Sequence, residues 1–217
     1  MDMREIVFLH TGTSDRLGHL DHDAVRACVE PLDMYELPDT DLSAYRAMIV
    51  TGGVDQELLW RERDAIRRFL DAGRVLLFSG HLVRPWLPGI GLFVPREIRS
   101  HRDYAVRIAA PHPIFAHVRE EDLTMRQGLA GFFARGHNPP PDGVEVLLEL
   151  PGGEPIVYID RVSTGGTMLV HSGGDLLGWG IERIYEGGPP ITSAVHIPGQ
   201  MLDWVLAEAG RLETARA

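Results

Sequence analysis

The chain has 217 residues, 44% of them hydrophobic and 24% charged, which is ordinary globular composition and enough to bury a substantial core. A formal net charge of -10 argues against phosphate-backbone binding, which relies on clustered Lys and Arg, so nucleic acid is not an expected partner. One cysteine, Cys28, allows neither an internal disulfide nor a multi-thiolate metal site.

Taken in chain order, Ile6-Val7-Phe8-Leu9 is a continuous apolar run that ends in His10-Thr11-Gly12-Thr13. It reads as a central strand buried on both faces, and it is too short for a signal-peptide core or a membrane span. A cytoplasmic protein without a membrane partner is the expectation. Residues 21–29 predict a short helix capped by Asp21 and stopped by Pro31, with Met34-Tyr35-Glu36-Leu37 as the next strand. Ala47-Met48-Ile49-Val50-Thr51 predicts a second buried strand running into Gly52-Gly53, where missing Cβ atoms permit close approach of a ligand. Over residues 56–72, Leu58, Leu59, Ile66, Phe69 and Leu70 recur at helical spacing, and Gly73 closes that helix. Val75-Leu76-Leu77-Phe78 follows as a strand that empties into Ser79-Gly80-His81. Strand, helix, glycine and strand make a βαβ unit, which joins parallel strands by a right-handed crossover.

The second half alternates. Val144, Val146, Leu148 and Leu150, the turn Pro151-Gly152-Gly153-Glu154 and Ile156-Val157-Tyr158-Ile159 predict a hairpin. A further strand, Thr167-Met168-Leu169-Val170, leads into His171-Ser172-Gly173-Gly174, so an antiparallel meander extends the sheet. The last predicted helix covers residues 200–209, just after Pro198, with Leu202, Val205, Leu206 and Ala209 on one face. A single α/β domain over residues 1–217, with a mostly parallel sheet, follows.

Thr51-Gly52-Gly53, the long helix, and Phe78-Ser79-Gly80-His81 in this order resemble the class I glutamine amidotransferase-like superfamily. Within it, His112-Pro113-Ile114-Phe115 and the segment from Pro155-Ile156-Val157 to Gly166-Thr167-Met168-Leu169-Val170 are similar to the trehalose-utilisation (ThuA-like) and uncharacterised amidotransferase-like groups. The resemblance implies a three-layer, flavodoxin-like fold. True amidotransferases carry a nucleophilic cysteine in a Gly-x-Cys-x-Gly elbow after this strand. Here Leu77-Phe78-Ser79-Gly80-His81 has no cysteine, and Cys28, flanked by Ala27 and Val29, reads as a structural thiol. Glutamine amidotransferase activity is therefore not expected.

In open α/β sheets, groups that follow strands converge on the ligand crevice. Ser79, His81 and His10 are the catalytic candidates; Thr11, Gly12, Gly52, Gly53, Gly80, His171, Trp86 and Trp179 are the ligand-binding ones. Each histidine also reads as a satisfied loop group, and both tryptophans as loop packing or as stacking platforms for a sugar. The N–H groups after Phe78 are expected to face the crevice as an oxyanion site. A metal alternative draws on His10, His19, Asp21, His22 and His81, although their spacing matches no metal motif and Asp21 also reads as a helix cap; no cofactor is identified. The expected function is a site for a small-molecule ligand of sugar type, in a carbohydrate-related enzyme. The alternatives are a noncatalytic binding domain and a serine or metal-dependent hydrolase. Trp86-Leu87 and Phe132-Phe133 are apolar loop segments, which motivates homo-oligomerisation as a further expectation.

Overall fold

The computed structural model describes residues 4–12, 20, 23–126, 128–179 and 192–216. The apolar runs become eight strands of one sheet: β1 (Arg4–His10), β2 (Val29–Asp33), β3 (Tyr45–Thr51), β4 (Val75–Ser79), β5 (Arg107–Ile108), β6 (Glu145–Glu149), β7 (Pro155–Asp160) and β8 (Thr167–His171). They hydrogen-bond in the order β2-β1-β3-β4-β8-β7-β6-β5. The first five are mutually parallel, and the meander β8-β7-β6-β5 is antiparallel. Strands beginning near Ile6, Ala47 and Val75 are thus parallel neighbours, as the βαβ reading requires. The order 2-1-3-4 followed by a fifth parallel strand is flavodoxin-like, with β8 in the fifth place after the chain has built the meander.

The described α-helices are α1 (Asp23–Arg26), α2 (Gln56–Arg61), α3 (Arg63–Asp71), α4 (Glu120–Thr124) and α5 (Ile197–Arg216), and short 3₁₀ turns and two small two-stranded sheets lie in the connections. Because side chains alternate along a strand, each inner strand feeds two cores. Phe8, Ile49, Leu77 and Leu169 pack with Met201, Val205 and Ala209 of α5. Leu9, Val50, Phe78 and Val170 face the other way, onto Leu59, Ile66 and Leu70 of α2 and α3. Helix, sheet and helix make the three layers.

Several boundaries differ from the sequence expectation. Residues 34–37 are not a strand but part of a 3₁₀ turn, Met34–Asp39, because the Asp33 carboxylate accepts the Tyr35 N–H at 3.0 Å and starts a helical turn. The strand lies one step earlier, and Pro31 sits inside it rather than ending a helix; β2 is an edge strand, where a missing N–H is tolerated. The first helix shrinks to Asp23–Arg26, and its expected cap Asp21 falls outside the described residues. The helix over 56–72 bends into two at Glu62 (φ −89°, ψ 6°), with Gly73 in the positive-φ closing position as expected. The last helix is longer than predicted and already includes Pro198 in its first turn.

Among the described residues no helix is long and apolar enough to cross a membrane. The apolar loop segments that suggested an oligomer are largely internal: Trp86, Leu87 and Phe133 are buried, and only Phe132 is exposed.

Candidate functional site

The register of the parallel strands builds one polar row across their carboxyl ends. His10 is paired with Asp33 across β1 and β2, and Thr51 and His171 both flank Ser79 across β3, β4 and β8. Since Leu9 pairs with Val50, the next row places His10 beside Thr51. All four share the parity of Phe8, Ile49, Leu77 and Leu169, so they lie on the α5 side of the sheet. Three of the strand-end candidates, His10, Ser79 and His171, are therefore in one row.

Most of that row is covered. Thr51 is 2% exposed, Ser79 7% and His171 1%, because residues 131–138 and 172–179 close over them. Ser79 Oγ accepts the Leu176 N–H at 3.3 Å, and His171 Nε2 lies 3.1 Å from the Phe133 carbonyl. That contact makes Nε2 the protonated nitrogen and leaves Nδ1 as a buried acceptor with no described partner. Burial holds this imidazole down at about 4, with the Phe133 carbonyl pulling upward and His81 adding to the lowering, so the ring is neutral. Gly173 is needed in the closure: a Cβ there would stand 1.7 Å from the Phe133 oxygen and 2.6 Å from His171 Nε2.

The turn after β4 is bolted by two amides. Asn138, fully buried, accepts the Leu82 N–H on Oδ1 and donates from Nδ2 to the Gly80 carbonyl. Its own N–H donates to Ser172 Oγ, and its carbonyl accepts the Tyr158 hydroxyl. From the other side Gln56 donates to the His81 carbonyl and accepts the Val83 and Arg84 N–H groups and Trp86 Nε1. The Gly80 N–H donates to the His171 carbonyl. The N–H groups of Gly80, Leu82 and Val83 are thus committed to the scaffold and are not free to serve the oxyanion site expected after Phe78. Neither Asn138 nor Gln56 stood out in the sequence, since nothing local marks an amide whose partners lie 25 to 58 positions away.

The glycines divide into two kinds. Gly80 faces Gly52, where a Cβ on Gly80 would come 3.2 Å from the Gly52 Cα and 2.9 Å from the Phe78 ring. Their small size serves the approach of the two turns to each other. Gly53, by contrast, is exposed at φ 99°. Among the described residues the open positions along this edge include His10 at the end of β1, Thr11 and Gly12 just after it, Gly53 after β3 and Gly174 after β8. His10 Nδ1 accepts the Gly12 N–H at 3.0 Å, which fixes the ring and leaves Nε2 as the donor of the neutral imidazole.

The remaining candidates lie apart from this opening. The His81 ring stacks on Phe93 at 3.7 Å, and the burial of its covered part, with Arg135, lowers its basicity. Trp86 packs edge-on against Phe78, and Trp179 edge-on against Phe133 with Arg126 over its face. Both rings are core, not open stacking platforms. No hydrogen bond joins Ser79 to His10, His81 or His171 among the described residues. Cys28 sits in the turn before β2, at the opposite edge of the sheet, its thiol pushed up by burial and by Glu5 and Asp203. Of the metal candidates, His19, Asp21 and His22 lie outside the described residues, and among those described no three His, Cys, Asp or Glu side chains come together to hold an ion.

No protein-family model matches the chain, and a search of curated proteins returns no match.

Proposed function

We propose that the protein binds a small hydroxyl-rich molecule of sugar type at the carboxyl edge between β1 and β3, on an amidotransferase-like scaffold that does no glutamine chemistry. The observation that carries the reading is His10, held by the Gly12 N–H at the end of β1, with the exposed Gly53 in the turn after the neighbouring β3. These residues flank the point where the strand order reverses between β1 and β3, the usual ligand crevice of such sheets. An Nε2–H donor and open backbone at a positive-φ glycine suit ligand hydroxyls and need no charge on the ligand.

Binding is favoured over serine hydrolysis by two features. The Ser79 hydroxyl is buried and accepts a backbone N–H, and the fixed His10 presents a proton rather than a lone pair to its surroundings. A panel of mono- and disaccharides, trehalose among them, tests this by thermal shift and by product analysis. The expected outcome is stabilisation without turnover, lost in His10→Ala while the melting temperature of the unliganded protein barely moves. Turnover abolished by Ser79→Ala would instead establish the hydrolase, and stabilisation that survives His10→Ala would remove the site from this edge.

A further inference from the structure

A second opening lies at the opposite, amino-terminal edge of the sheet, where the chain enters β3 and β4. A cavity of 360 Å³, within the range of small-molecule sites, is framed by the segment from Leu37 to Ser43, by the flank of α3 that carries Ala65, Arg68 and Phe69, and by Ala72 and Arg74. Leu37, Pro38, Leu42 and Phe69 form its apolar wall, and Asp41, Glu62, Arg68 and Arg74 give it two charges of each sign.

Those four charges are not paired with one another. Neighbouring residues on the same helices do pair, Arg61 with Glu57 and Arg67 with Asp71, so partners are within reach where they are wanted. Arg68 and Glu62 make no side-chain hydrogen bond or ion pair among the described residues. Among the described residues Asp41 engages only Ser43, through one oxygen that accepts its N–H and its hydroxyl. Arg74 reaches Glu213 and the Ser43 carbonyl at 3.5 Å each, and its buried Nε has no partner. The ion pair with Glu213 and the bond to Ser43 take one N–H from each terminal nitrogen, and the second N–H on each remains for a ligand.

A simple anion in this cavity meets Asp41 and Glu62, a simple cation meets Arg68 and Arg74, and a neutral apolar ligand desolvates all four without compensation. A molecule carrying both charges and an apolar tail answers each group. We propose that this cavity binds a zwitterionic α-amino acid with an apolar side chain, its carboxylate on Arg68 and Arg74, its ammonium toward Asp41 and Glu62, and its tail along Leu42 and Phe69.

Amide NMR shifts of the full chain, titrated with L-leucine, 4-methylpentanoate and 3-methylbutylamine up to about 10 mM, decide the matter, since millimolar sites saturate there. Leucine is expected to shift residues 40–43 and 68–74, and both half-charged analogues to bind at least about tenfold more weakly. Arg68→Ala, at an exposed position, is expected to weaken leucine by a similar factor with no change in melting temperature, and Glu62→Gln to weaken it as well. Absence of leucine shifts at these residues overturns the proposal, as does equal binding of either analogue or leucine affinity indifferent to both substitutions. His10→Ala leaves this titration unchanged, so the outcome is independent of the site at the other edge.

Discussion

At the scale of single residues, Glu208 of α5 shows how a buried charge is tolerated and what it costs in acid. It is 5% exposed, which by itself would raise its pKa. Hydrogen bonds from Arg211, Arg161 and Thr167, at 2.7 to 2.9 Å, outweigh that burial and hold the carboxyl down to about 2. The unfolded chain titrates near 4.5, so between there and about 2 it binds a proton that the folded carboxylate refuses. The stabilisation is thus complete above pH 4.5 and is lost as the pH falls through that window. Its size is on the order of 3 kcal/mol. Glu208→Gln should lower stability at neutral pH by about that amount, since it leaves Arg211 without its anion and Arg161 with Glu145 alone, and should flatten the acid limb of a urea-denaturation series taken between about pH 5 and 2.5. An acid limb as steep as the parent's would show that other carboxylates carry it. The position was partly legible: Glu208 lies three residues after Val205 and four before Leu212, on the buried face of the helix. Its meaning was not, because Arg161 and Thr167 come from the meander, more than forty positions earlier.

At the scale of elements, the parts that read correctly are those whose signal is local. Continuous apolar runs gave β1, β3 and β4, and glycines with positive φ gave the stop after α3 and the hairpin turn at Gly153. What misled was competition at close range: Asp33 turned an apolar stretch into a 3₁₀ turn, and Glu62 broke a helix whose hydrophobic spacing runs on through it. In the candidate site the strand ends named from the sequence fall in one row, but its cover was not legible, since it depends on Asn138 reaching Leu82, Gly80 and Ser172. That dependence is testable. Asn138→Ala leaves the Leu82 N–H and the Gly80 carbonyl buried and unmet, at about 2 to 4 kcal/mol for the two. Asn138→Asp keeps the acceptor for Leu82 but sets an oxygen against the Gly80 carbonyl, so it should destabilise at least as much despite its near-identical shape. Both are read from urea midpoints, with hydrogen exchange rising first in residues 131–138 and 172–179. If Asp were tolerated as well as Asn, the amide would be only a space filler and the cover would be held by Phe133 and Trp179 instead.

At the scale of the whole molecule, two cores hang on one sheet. Leu76 and Leu77, or Val170 and Leu169, are adjacent in the chain yet serve opposite faces, so neither core can dissolve without freeing the strands that support the other. The consequence is a single unfolding transition in a chain whose length would otherwise permit separate ones. The tryptophans report on the two sides independently: Trp86 lies in the core under α2 and α3, and Trp179 in the core under α5. One variant keeping only Trp86 and another keeping only Trp179, with the other tryptophans changed to Phe, should each show a fluorescence midpoint in urea that coincides with the variant's own far-ultraviolet circular dichroism midpoint. Each substitution lowers the midpoint itself, which is why the comparison is made within a variant rather than between them. A Trp179 signal that moves at lower urea than the circular dichroism would mean that the α5 face, with the cover over Ser79 and His171, opens while the parallel strands remain paired. In that case the polar row at the carboxyl edge would be reachable in the native ensemble, and Ser79 would return as a candidate for chemistry that the closed structure withholds from it.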